Sequence, residues 1–296
     1  MKKDEEPLWQ EIIQIDGPYH FESVLKRHQM DPLKQVDLDK RSIRVPVVVR
    51  NGNSYVVDVS AIGNITKPVF VISGEQETAQ KELIERVAEI FQWNIPLKEI
   101  HEHFKKTNLK EIFEQLIGTP LILDFDLFGC LVKSIIHQQI NMTFAYTLTE
   151  QFVKTFGYEV DGVWFYPQPE TVANLTIEQL RELKFSGRKA EYVIGVAKEI
   201  VEKGLEMDQL KHLSDEEIFN RLMKIRGVGK WTVENFLLFG LGRPNLFPMA
   251  DIGIQNAIKR LYNLEKKPTY EEMEQYRKDW DPYLSYASLY LWRSLE

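Results

Sequence analysis

From Leu222 to Phe239 the chain reads LMKIRGVGKWTVENFLLF. An amphipathic helical pattern ends at Lys224, Ile225-Arg226-Gly227-Val228-Gly229 follows, and a second helical pattern opens at Lys230. Two glycines one residue apart let the backbone turn sharply and approach another molecule closely. The second helix then begins with amide N–H groups that have no partner inside the helix and carry partial positive charge suited to a phosphate. Lys230 adds a full charge at the same end, and Val228 is placed to anchor the turn in the core. A nucleotide-binding P-loop would need Gly six residues before the Lys and Ser or Thr after it. Lys224 and Trp231 stand there, so that reading fails. What remains is a plain helix–turn–helix corner or, on the full string, a helix-hairpin-helix that grips the phosphates of one DNA strand without reading sequence.

Downstream, Leu246–Ala257 reads LFPMADIGIQNA. Asp is among the preferred helix N-caps, and Ile252 to Tyr262 has helical spacing, so Asp251 is expected to cap that helix. Capping does not preclude catalysis. As a base leaves a nucleotide the sugar becomes oxocarbenium-like, and a carboxylate beside a phosphate-binding hairpin can stabilise that charge and orient water.

The first third of the chain reads as strands. Ser42–Arg50 and Ser54–Val59 are rich in β-branched residues, Asn51-Gly52-Asn53 between them is a hairpin turn signal, and Pro68–Ser73 adds a third strand. Pro46 inside the first strand calls for an edge position or a bulge, because it cannot donate to a ladder. From Thr78 the pattern turns helical: 82–91, 128–138, 142–156, a helix from Thr176, 187–203 capped by Gly204, a helix capped by Ser214 with Glu217, and then 269–279 and 282–295. The fold class is therefore α+β. A β-rich N-terminal domain, 1–110, precedes a mostly helical domain, 111–296, that carries the hairpin at about 222–240.

The chain has 296 residues, 44% hydrophobic, enough for a large core. Its net charge of −7 argues against a general nucleic-acid coat, yet Arg221 to Arg260 holds seven basic residues against Glu234 and Asp251, a local +5. That run is either a solvated helical face or an electrostatic footprint. The single cysteine, Cys130, excludes an intramolecular disulfide and an all-cysteine zinc or iron–sulfur site. Met1 to Gln10 has no apolar signal core, and no apolar run nears the ~20 residues of a membrane span. His101 and His103 flank Glu102 but do not share a helix face, which suggests a surface role. His137 reads as structural, and Arg188 and Lys189 as phosphate contacts or solvent-facing charges.

The segment Ile225–Tyr262 resembles the helix-hairpin-helix DNA glycosylase superfamily, whose signature is such a hairpin followed by a Gly/Pro-rich loop and a catalytic Asp. The chain as a whole is similar to the bacterial DNA-3-methyladenine glycosylase II family, with further matches at Leu121–Gly157, Ser186–Glu191 and Trp280–Trp292. The resemblance implies a catalytic Asp251, backbone contacts to DNA from Gly227, Gly229, Lys230 and Thr232, and a wedge at Gln139 and Ile140 that fills the gap left by a flipped nucleotide. It implies a base pocket of Trp231, Tyr283 and Asn235, the aromatics stacking on a cationic alkylated base. Asn235 stands where the bacterial family has another aromatic. Superfamily members that also nick DNA carry a nucleophilic Lys at the second position of the second helix. Trp231 is there instead, and Lys230 is about 100° away around the helix. The expectation is a monofunctional glycosylase of alkylated bases, of 3-methyladenine and 7-methylguanine type, acting in base excision repair. It would use no cofactor or metal, take damaged double-stranded DNA as its partner, and be a monomer in the cytoplasm, associated with the nucleoid and not with a membrane. The rivals are a non-catalytic structure-specific DNA-binding protein and a glycosylase for other damaged bases.

Overall fold

The computed structural model describes residues 7–296. Five strands form one antiparallel sheet: β1 (Trp9–Gln14), β2 (Gln35–Asp37), β3 (Ser42–Val48), β4 (Ser54–Ala61) and β5 (Val69–Gly74), in the order β1-β5-β4-β3-β2. The three strands expected from β-branched composition are β3, β4 and β5. β1 and β2 carry too little alternation to be read from sequence. β3 alternates cleanly, with Ile43, Val45 and Val47 turned inward. Pro46 pairs with Val56 on β4, but β2 pairs with β3 only as far as Arg44, so the proline sits where β3 has no hydrogen-bonded neighbour on its other side. Gly52 takes a φ of 84° in the turn, a conformation glycine adopts without strain.

The helices are α1 (Phe21–His28), α2 (Gln80–Ile90), α3 (Leu97–Phe104), α4 (Lys110–Gln115), α5 (Leu127–His137), α6 (Met142–Phe156), α7 (Pro169–Ala173), α8 (Ile177–Glu182), α9 (Gly187–Val201), α10 (Asp215–Leu222), α11 (Lys230–Asn235), α12 (Ile252–Leu261), α13 (Tyr270–Tyr276) and α14 (Leu284–Arg293). Thr176, Ser214 and Thr269 each close a full capping box, which is why the starts of α8, α10 and α13 follow from local sequence. A short hairpin, β6 (Tyr158–Val160) and β7 (Val163–Phe165), lies against the outer face of β3 and β4. No helix of the described residues is long and apolar enough to cross a membrane.

The buried side chains form two main cores. One joins the inner face of the sheet to α1–α4 and also to α12, α13 and α14; the other is built from α5–α11. Each well-buried Leu, Ile or Phe contributes about 1.5–3 kcal/mol, so burial decides this partition. The last helices thus return across residue 110, α14 packing on α3 and α4 within the sheet-containing core. The stack of Phe104, Phe113 and Tyr290 fastens that return, with ring centroids 3.9 and 3.8 Å apart. The Tyr290 hydroxyl donates to the Thr119 carbonyl at 3.1 Å and lies 3.0 Å from His101 Nε2. His101 is thus buried, not a surface residue, and burial lowers its pKa to about 4. His103 is the more accessible of the pair, its Nε2 2.9 Å from the Asp279 carbonyl.

Candidate active site

Asp251 lies on the seam between the two cores. Helix α12, which it caps, belongs to the sheet-containing core, whereas α11 belongs to the other; Phe239 and Leu246 pack against both. The Asp251 backbone is extended, at φ −70° and ψ 127°, and Oδ1 accepts the Ile254 amide at 3.0 Å. The same oxygen accepts Trp292 Nε1–H at 2.8 Å, and Trp231 Nε1–H points to Oδ2 at 3.4 Å. One indole comes from α14 and the other from α11, so the carboxylate is aimed by both halves of the molecule. It stays partly exposed and ends in no ion pair within 4.0 Å among the described residues. Gly253 keeps this arrangement open: a Cβ there would meet Trp292 Cδ1 at 2.9 Å and Asp251 Oδ1 at 3.0 Å.

The hairpin forms as expected. Ile225 and Val228 are buried, while Arg221, Lys224, Arg226 and Lys230 are exposed around the turn. The two glycines serve different ends. Gly227 has a φ of +92°, and a Cβ there would sit 2.0 Å from Tyr192 Cγ, so packing against α9 demands glycine. Gly229 is extended, and nothing lies within 4 Å of its would-be Cβ. It gives α11 no side-chain cap, so no side chain satisfies the first amides of that helix. Past Asn235 the helix widens into a π-turn at Phe236–Gly240, a feature frequent near functional sites.

The proposed wedge turn is next to this hairpin. It joins α5 to α6, with Gln139 exposed at a φ of 55° and Ile140 half-buried against the second core. Gln138 ties the two together, its Nε2 donating to the Gly227 carbonyl at 2.9 Å and to Thr232 Oγ1 at 2.7 Å. Lys189 donates to the carbonyls of Ile136 and, at 2.7 Å, Gln138, so it satisfies the end of α5 in place of a phosphate.

A family model described as "HhH-GPD superfamily base excision DNA repair protein" matches residues 132–282, which take in the wedge turn, the hairpin and Asp251. The chain belongs to this superfamily. It is 52% identical to the Bacillus subtilis (strain 168) protein named "Putative DNA-3-methyladenine glycosylase YfjP", over 98% of this chain and 100% of that one. It is 34% identical to a second B. subtilis (strain 168) protein named "DNA-3-methyladenine glycosylase", over 82% of this chain and 87% of that one. Its fold is that of the 3-methyladenine DNA glycosylase of Archaeoglobus fulgidus, with a TM-score of 0.82 at 23% identity, covering 97% of this chain and 98% of that one.

Within this HhH-GPD frame several expectations need revision. Thr232 is 1% exposed and its hydroxyl accepts from Gln138, so its side chain holds the hairpin to α5. Asn235 spends its amide on the Trp231 carbonyl at 2.8 Å, one turn back along its own helix. Tyr283 stands edge-on to His103, centroids 5.3 Å apart; among the described residues no hydrogen bond or ring contact joins it to Trp231 or Asp251. Arg243, counted in the basic run, is an internal strut that pairs with Asp215 and donates to the carbonyls of Lys211 and Leu213. His137 is structural, its Nε2 3.1 Å from Thr149 Oγ1.

Three residues escaped the sequence reading. Trp292 is far from Asp251 in sequence, and nothing local marks it as a partner. Gln138 could not be told from Gln139 without knowing where α5 ends. Glu234, on the inner side of α11, is 6% exposed, and burial raises its pKa, opposed by Lys230 and reinforced by Asp251.

Proposed function

We propose that this chain is a monofunctional DNA glycosylase that hydrolyses the N-glycosidic bond of alkylated bases such as 3-methyladenine and 7-methylguanine. The observation that carries the reading is the Asp251 carboxylate, aimed by two indoles beside a hairpin whose second helix has no side-chain cap. The hairpin would hold a strand through the amides at the start of α11, with Gly229 permitting close approach and Lys230 adding charge. Ile140, on the turn clamped to the hairpin by Gln138, would enter the duplex as the nucleotide flips out. The cationic base would lie against the Trp231 ring.

As the base departs, the C1′–N bond breaks with its electron pair going to the base, which leaves neutral if it was cationic. Asp251 stabilises the positive sugar, and water adds at C1′ and yields its proton, leaving an abasic site. No amine occupies position 231, so no Schiff base with the sugar is expected. The two B. subtilis relatives, by their names, support the alkylated-base assignment.

The test is release of free bases from methylated DNA by wild type and by Asp251→Asn, with borohydride present in a parallel reaction. Release by wild type alone, without a trapped covalent adduct, is the expected result. Tight DNA binding without release by either protein would favour the structure-specific binder. Release of oxidised or mismatched bases in preference to methylated ones would reassign the substrate.

A further inference from the structure

Glu234 has no part in the reaction as described, yet it is a buried carboxylate held within the hairpin's second helix. It projects from α11 one turn after Lys230 and is 6% exposed. Its Oε1 lies 3.7 Å from Lys230 Nζ, and its buried Oε2 has no hydrogen-bond partner. A buried carboxylate with half its acceptor capacity unmet is costly as an anion and is retained only while a cation compensates it. The compensating cation is unusually placed. Lys230 has a side chain 68% exposed, on the turn that would face a phosphate. The charges that bear on Glu234 are Lys230 on its own helix and Asp251 from the segment before α12; α5 and α10, the other helices packed against α11, bring none that does.

We infer that Glu234 is a proton-linked restraint on the hairpin: it holds Lys230 in the free protein and takes up one proton when a DNA strand draws that lysine away. The inference rests on the glycosylase reading and adds a regulation to the same site. Once Lys230 turns to a phosphate, Glu234 keeps its burial and the neighbouring Asp251 charge, both of which favour the neutral acid, and gains a nearby anionic strand. The proton comes from hydronium or a buffer acid, whose bond to it breaks, with the electron pair staying on the donor, as an O–H bond forms on the carboxylate. Glu234 is a positioning residue, because it acts on DNA through Lys230.

The sign follows from linkage. The bound state holds more protons than the free state, so affinity rises as pH falls through the interval between the free and bound pKa values. One linked proton gives at most about a 10-fold change in Kd per pH unit.

The probe is a duplex carrying a tetrahydrofuran abasic analogue, which the enzyme cannot hydrolyse. Calorimetric titration in buffers of different ionisation enthalpy, between about pH 5 and about pH 8, counts the protons taken up. Wild type is expected to take up a proton over part of that range, approaching one where linkage is strongest. Glu234→Gln should take up none and show a flat Kd–pH profile. Lys230→Met should bind more weakly and take up less, because its Glu234 has already lost its cation. Zero uptake by wild type while it binds would overturn the inference, as would equal uptake by wild type and Glu234→Gln. If Glu234→Gln does not fold, the outcome rests on the other two proteins: full wild-type uptake retained in Lys230→Met overturns it. Failure to bind the duplex or to release methylated bases would instead strike the glycosylase reading, so the two failures are distinguishable.

Discussion

Replacing Trp292 with phenylalanine tests whether indoles aim the Asp251 carboxylate. Trp292 Nε1 reaches Oδ1 at 2.8 Å, whereas Trp231 Nε1 reaches Oδ2 only at 3.4 Å. The first is a full charge-assisted hydrogen bond; the second lies beyond the usual N–H···O distance and is weak. A hydrogen bond to a charged group contributes about 1.5–3 kcal/mol, and because Asp251 is partly exposed, water makes good some of the loss and the lower figure applies. Expressed wholly in the transition state, about 1.5 kcal/mol is about 10-fold in rate. Trp292→Phe is therefore expected to lower kcat about 10-fold with KM nearly unchanged. The phenyl ring keeps the packing toward Phe239, now at 6.0 Å between centroids, and the Ile254 amide still caps α12 through Asp251. Trp231→Phe, which loses the longer bond and keeps an aromatic face, should cost less than about 3-fold in kcat. Release of bases from methylated duplex under single-turnover and steady-state conditions reads both, with thermal melting to confirm the fold. If the two variants behave alike, or if Trp292→Phe alters only KM, the directional role of the indole is refuted.

Further outcomes follow from the same contacts. Asp251→Asn should abolish most activity, by about 10²- to 10³-fold, yet melt close to wild type, because Asn is as good an N-cap as Asp; a large fall in Tm would show that the carboxylate serves mainly structure. Gly227→Ala, strained at φ +92° and driven into the Tyr192 ring, should destabilise by about 3 kcal/mol in denaturant unfolding. Gly229→Ala, with open space at its Cβ, should stay within about 0.5 kcal/mol of wild type in stability but weaken duplex binding; the reverse pattern would exchange the roles assigned to the two glycines. Burial holds His101 neutral, lowering its pKa to about 4 from the ordinary 6.5. Its contribution to stability is whole above about pH 6.5 and is lost as pH falls toward the folded value, since the unfolded chain binds the proton first. Scanning calorimetry between about pH 7 and about pH 5 should show a falling Tm whose slope His101→Asn lessens, the buried His28 and His137 keeping the rest, and an equal slope in both proteins would remove His101 as a contributor.

The local features of this chain were legible in its sequence because their causes are local. The helix start at Thr176, the capping box at Ser214, the turn at Gly52, the hairpin from Ile225 to Lys230 and the capping role of Asp251 each depend on residues within a few positions, where backbone geometry and short-range hydrogen bonds leave little choice. The α+β class followed from the change of hydrophobic period near Thr78. Long-range burial decided the rest. The C-terminal helices join the core that holds the N-terminal sheet, α14 packing on α4, and no sequence spacing records that choice. The same packing carries Trp292 to Asp251, buries Thr232 and Glu234 on the inner side of α11, and turns Tyr283 toward His103. Sequence named the carboxylate and the hairpin; only tertiary contact could say what aims the one and restrains the other, because a side chain's partners across a seam depend on how two cores fill space.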